Sequence, residues 1–127
     1  MSKFAHSDVL DGGLLAIKNG CTKMQLLSQY TFGDSYATVQ AAKLAEAVMT
    51  SADYTLSSSG NNRVLTVAAG KTAALTAAAT GTDSHIAFCD GTRVLWVTDE
   101  TTNPTMAIVG AIVTFPPALT YTSPQPV

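Results

Sequence analysis

Apolar residues near the start of the chain recur at a helical interval. Leu10, Leu14 and Ile17 stand at i, i+4 and i+7, which is one face of a helix over residues 7–19. Ser7 can cap its start, and Asp8 and Asp11 suit the positive end of the helix dipole. Lys18 falls in the last turn, and Asn19-Gly20 is a ready stop. Gly12-Gly13 breaks the pattern, since a mid-helix glycine costs about 1 kcal/mol relative to alanine. Either this face packs close against another backbone, or the helix begins after the pair.

The period then changes to two. Over residues 21–28, Cys21, Lys23, Gln25 and Leu27 alternate with Met24 and Leu26, as in a strand. Residues 30–34 read as a turn, and a short helix can start within residues 35–42. Over residues 43–50 the alanines favour helix, but Leu44, Glu46 and Val48 alternate, so a strand is expected. Tyr54-Thr55-Leu56 leads into a polar turn over residues 57–62, and Val64, Thr66 and Ala68 alternate with Leu65 and Val67. A turn at Gly70-Lys71, a weaker alanine-rich strand over residues 72–79 and a turn over residues 81–83 follow. Short strands separated by turn chemistry predict a mainly β fold, a compact β-sandwich or small barrel with one short N-terminal helix.

The strongest local signal lies at residues 86–97. Asp90-Gly91 between alternating apolar segments is the mark of a two-residue hairpin turn. That turn would set Ala87 opposite Val94, Ile86 opposite Leu95 and His85 opposite Trp96. Ile86, Phe88, Leu95 and Val97 would then face the core, with Ala87, Cys89, Val94 and Trp96 behind them. Both faces are apolar, so both need cover, from a second sheet, the N-terminal helix or a neighbouring subunit. Residues 99–103 read as a polar loop closed by Pro104, and residues 106–115 as a last strand. Pro116-Pro117 ends it, and Pro124 and Pro126 predict an extended arm over residues 116–127. The expectation is one domain with its core at about residues 7–115 and arms at 1–6 and 116–127.

Charge changes this picture. Only 13% of the 127 residues are charged, against a usual ~25%, and the net charge is −2. No basic footprint for nucleic acid results, because the seven Lys and Arg are scattered. A surface of Thr, Ser and Ala repels its own copies weakly, which points to a subunit that packs against neighbours. No secretory signal is visible, and the apolar run at residues 107–113 falls far short of the ~20 residues a membrane span needs. Cys21 and Cys89, without metal-ligand spacing, are expected as free structural thiols.

Candidate chemistry is sparse. Gly33-Asp34-Ser35 is similar to the nucleophile turn of one esterase family, but that chemistry needs a base beside the serine. The family pattern spaces its Asp and His three apart, whereas Asp83 and His85 are two apart. A turn followed by a helix cap at Ser35 is the simpler expectation. His6, Asp8 and Asp11 are too few to close a metal site, and no cofactor fingerprint is present. His85 beside Trp96, or Tyr54, could offer a stacking face in a carbohydrate-binding module.

Several blocks resemble small virion proteins of tailed bacteriophages, encoded near the major capsid gene. These are residues 4–14, Asp53-Tyr54-Thr55-Leu56, residues 63–69 and the hairpin at 85–97. The resemblance implies a non-enzymatic role as a capsid decoration, or cement, subunit. Such a protein sits in many copies on the outside of the head and binds the major capsid protein. The alternative it leaves open is a head–tail connector or tail subunit. The residues expected to make contact are Val94 and Trp96 on the outer hairpin face, and Pro116, Pro117 and Tyr121 in the arm.

Overall fold

The computed structural model describes residues 3–79, 84–100, 108–117 and 119–127, and within these the chain is mainly β. The elements are α1 (Ser7–Gly20), β1 (Lys23–Leu27), α2 (Tyr36–Ala41) and β2 (Lys43–Val48), then a 3-10 turn (Ser51–Asp53), β3 (Tyr54–Ser59) and β4 (Asn62–Val67). They continue with β5 (Thr72–Ala74), β6 (His85–Cys89), β7 (Val94–Asp99), β8 (Ile112–Thr114) and β9 (Thr120–Ser123). All pairings are antiparallel, in three sheets ordered β2-β1-β6-β7, β3-β4-β9 and β5-β8.

The first helix buries Leu10, Leu14 and Ile17, the face its period predicts. His6, not Ser7, closes its N-terminus: the Asp8 N–H donates to His6 Nδ1 at 3.1 Å. The helix runs through Gly12 and Gly13, which face solvent, and a Cβ at either would meet no atom within 4 Å. Neither expected use of the pair holds. The helix does not begin after it, and no backbone approaches it.

α1 lies against the three-stranded sheet, and Asp11 is joined to Arg63 of β4 through Arg63 Nε at 2.8 Å and Nη2 at 3.3 Å. Leu14 and Ile17 meet Leu65 and Val67 in one core, which the four-stranded sheet completes with Met24, Leu26, Ile86 and Phe88. Residues of β5 and β8 and their flanks, among them Leu75, Val113 and Phe115, close it. The far face of the four-stranded sheet carries a second, smaller core of Leu27, Val39, Ala87 and Cys89, covered by α2 and Tyr30. Both faces of the hairpin are therefore covered by the chain itself.

Three expectations need correction. The hairpin turn spans four residues, not two, because the Asp90 carboxylate organises it. Oδ1 accepts the N–H groups of Thr92 at 2.7 Å and Arg93 at 2.6 Å, and Asp90 N–H donates to Arg93 O at 3.1 Å. The register moves accordingly: Cys89 pairs with Val94, Phe88 with Trp96, Ala87 with Val97 and His85 with Asp99, with a bulge between. Trp96 thus joins Phe88 on the main-core face while Val94 lies on the other, so the two do not share a surface.

The polar stretch after Leu56 is strand, not turn. β3 runs to Ser59, and only Gly60-Asn61 turns, with Gly60 at φ +60°. The arm expected over residues 116–127 folds back as well. β9 pairs Tyr121 with Leu65, and Gln125 clasps the N-terminal segment by accepting from Ala5 N–H at 2.8 Å and donating to Ala5 O at 3.0 Å. The final strand is three residues, Ile112–Thr114, and the alanine-rich one is Thr72–Ala74. The start expected for that final strand, the turn at 81–83 and most of the loop closed by Pro104 lie outside the described residues.

Candidate functional site

Ser35, the residue of the esterase-like run, caps α2. Its Oγ accepts the Thr38 N–H at 3.2 Å and lies 3.0 Å from Thr38 Oγ1. His85 Nε2 lies 3.3 Å from Asp99 Oδ1 across the hairpin, and Asp83 is outside the described residues. His6 is held by Asp8 and Asp11 by Arg63, so these side chains do not converge. Among the described residues no three His, Cys, Asp or Glu side chains gather as a metal site would require. No helix among them is long and apolar enough to cross a membrane.

The most polar interior feature sits under α2. Gln25 is fully buried on β1, and its amide uses its whole capacity. Nε2 donates to Gln40 Oε1 at 2.8 Å and Glu46 Oε1 at 2.6 Å, while Oε1 accepts from Gln40 Nε2 at 2.9 Å and the Cys89 thiol at 3.6 Å. Burial opposes ionisation of Glu46, but the Gln25 amide and the Lys43 ammonium outweigh it and hold its carboxyl below the usual range. The Gln25–Gln40 and Gln25–Glu46 bonds join β1 to α2 and β2, so the network fixes α2 on the sheet. Burial likewise pushes the Cys89 thiol up to about 11, and Cys21 is raised by the same cause, so both free cysteines stay protonated and inert at neutral pH.

An open groove of about 750 Å³ lies between the N-terminal segment and the β3–β4 turn, lined by His6, Leu10, Ser58, Asn61, Arg63 and Gln125 among others. Both of its cations are engaged: Lys3 Nζ donates to Val127 O, and the Arg63 guanidinium holds Asp11 and donates through Nη1 to Ser58 Oγ at 2.8 Å. The groove is a seam between segments already joined by Gln125.

The residues expected to make contact are dispersed. Val94 packs in the smaller core beside Cys89. Trp96 is half-buried, stacked on Phe88 at 4.3 Å and met edge-on by Tyr121 at 5.4 Å. Tyr121 is brought there by β9, so Trp96 and Tyr121 do come together, as one aromatic stack. Pro116 is half-buried and Pro117 exposed beyond β8. Tyr54 is buried in the core, and with Trp96 between two rings neither presents an open stacking face for a sugar.

The prominent apolar surface lies elsewhere, on two turns of the same build. Asp34 N–H donates to Thr31 O at 2.9 Å, Gly33 sits at φ +89°, and Phe32 between them is 99% exposed. The Asp34 carboxylate also accepts the Thr31 N–H at 2.9 Å, which ties the turn a second time. In the other turn Ala111 N–H donates to Ile108 O at 3.2 Å and Gly110 sits at φ +90°. Val109 at its corner is 61% exposed, with Ile108 and Ile112 exposed beside it. Glycine at the third position of such a turn is expected, but its corner ordinarily carries proline or a polar residue. The signal in the sequence was there to read, as Phe32-Gly33 and Val109-Gly110, but it lies in the turns, where apolar periodicity carries no information.

The chain matches none of the protein-family models, the curated proteins or the solved structures with which it was compared.

Proposed function

We propose that the protein is a non-enzymatic structural subunit of a phage virion, binding the outside of the assembled head as a capsid decoration protein. The observation that carries this reading is the pair of rigid turns that hold Phe32 and Val109 out in solvent. A large apolar side chain at an exposed corner contributes almost nothing to folding, since it leaves water only when something else covers it. Backbone hydrogen bonds and, at residues 31–34, a carboxylate hold the chain beneath each side chain, so ordering on contact is confined to the side chain's own rotamers. The nearly charge-free β body around the turns supports the same reading, because few ions need to be desolvated when it lies against a shell. Many modest contacts of this kind, repeated over a symmetric shell, hold by avidity where one alone would be weak. The resemblance of residues 4–14 and 63–69 to small phage head proteins supplies the partner, the major capsid protein.

The test is co-sedimentation of the purified protein with heads that lack it. The wild type is expected to pellet with the heads, and Phe32→Ser to lose at least tenfold in affinity. Its stability should stay within the ~0.5 kcal/mol typical of surface changes, read as a nearly unchanged melting temperature. Undiminished binding by Phe32→Ser and Val109→Ser together would remove the two turns as the contact.

A further inference from the structure

We infer that β3 is the strand through which two copies of this chain join, edge to edge and antiparallel, about a twofold axis at Ser57. The pairing concerns copies of the chain alone and does not depend on the shell-binding reading. It rests on which backbone groups of β3 are used. Val67 N–H donates to Leu119 O at 2.9 Å, so the Val67 backbone points towards β9. Alternation along β4 then turns Asn62, Val64 and Thr66 towards β3, where they face Ser59, Ser57 and Thr55. The backbone groups of Tyr54, Leu56 and Ser58 therefore point away from the sheet. Tyr54 O confirms the direction, since Lys18 Nζ reaches it from outside at 2.7 Å. The N–H and C=O groups of Leu56 and Ser58 meet no partner among the described residues.

An edge of this kind is a template for another strand unless something blunts it. The other edges are blunted. β2 carries a bulge, Lys43 and Glu46, and Thr76 N–H donates to its Leu44 O at 2.7 Å. β7 carries the hairpin bulge and ends at Asp99, while β5 and β8 are three residues each. β9 is four residues long and runs directly into Pro124. β3 is six residues long with regular pairing to β4, and it contains no charge and no proline.

Its free groups also complement themselves. A twofold axis at Ser57 sets Leu56 opposite Ser58 of the second copy and Ser58 opposite Leu56, so that each pair exchanges two N–H to O=C bonds. An axis at Leu56 would need Tyr54 O, which Lys18 holds, and one at Ser58 would need Gly60, which leaves the extended conformation at φ +60°. Joined this way, two three-stranded sheets become one of six. Its outer face of Thr55, Ser57, Thr66, Thr120 and Thr122 is uncharged, so nothing on it repels the second copy.

Sedimentation equilibrium across a concentration series tests this, with the full chain in solution and no heads present. The wild type is expected to approach twice its 13.2 kDa mass. Ser57→Lys and Ser57→Glu, each placing like charges together at the axis, should stay at the single mass with unchanged circular dichroism and melting temperature. Their equimolar mixture should return to the double mass. Ser58→Pro, which removes an N–H that meets no partner among the described residues, should also be monomeric, because edge strands accept proline there. A wild type that stays at the single mass at every concentration overturns the inference. So does a Ser57→Lys protein that still dimerises, or a charge mixture that stays apart. A dimer that ignores heads would instead sink the proposed function and leave this pairing standing.

Discussion

At the scale of single residues, Gly12 and Gly13 show most directly that part of this chain is unoptimised for folding. Both lie inside α1, face solvent and have free space where a Cβ would go. Glycine there carries the full backbone-entropy cost with no packing return. Gly12→Ala and Gly13→Ala should each stabilise the protein by about 1 kcal/mol, a rise of about 3–5 °C in melting temperature for a domain of this size. A thermal melt of each variant checks this, and a fall in either would mean that the position serves a contact outside the monomer. Tyr54 is the opposite case. Its ring fills the core, its buried hydroxyl has no nitrogen or oxygen partner among the described residues, and burial, with the Cys21 thiol beside it, drives its pKa far above the usual value.

At the scale of elements, the turn between β6 and β7 decides which residues face which way. The Asp90 carboxyl lies well below its ordinary value, down to about 2, chiefly because the Thr92 N–H donates to the carboxylate, with Arg93 adding its own N–H and side chain. A carboxyl depressed in the folded state stabilises that state above its ordinary pKa, and the contribution is lost as pH falls from about 4 to about 2. Asp90→Asn keeps an acceptor for the turn but cannot titrate, so its melting temperature should depend less on pH across that window. Parallel melting curves between pH 5 and pH 2 check this, and identical slopes for the two proteins would contradict it.

The same turn marks where reading the sequence stops working. Periodicity suffices for α1 and β4, because one face of each is buried in the main core and the apolar spacing records that face. β1 and β2 form as strands although both of their faces carry buried residues, and Val48, which alternates with Leu44, is exposed. The cap at Ser35 and the short helix after it follow from local chemistry as well. The hairpin register was not recoverable from Asp90-Gly91, since an aspartate can equally organise a four-residue loop through its side chain. Counting from a two-residue turn sets Val94 and Trp96 on one face, and the four-residue turn puts them on two. The second half of β3 and the whole of β9 read as loop or arm for another reason: their Ser and Thr face solvent, and an exposed polar strand has the composition of a loop. Of the residues expected to make contact, only Trp96 and Tyr121 come together, and they do so as a packed stack.

At the scale of the whole molecule, the chain spends its apolar residues on two cores and still displays Phe32, Ile108, Val109 and Ile112. It spends its charges mostly on local ties, such as Arg63 with Asp11, Lys71 with Asp53 at 2.9 Å and Arg93 with Asp90 at 2.8 Å. What remains outside is weakly charged and carries exposed apolar side chains at these turns, the feature on which the proposed adhesive role rests. The most direct measurement is an electron cryo-microscopy difference map between heads with the protein and heads without it. The account predicts discrete density of this size, repeated over the capsomers of the outer surface, with the 31–34 and 108–111 turns against the shell. Density confined to the neck or tail, or no difference at all, would contradict it.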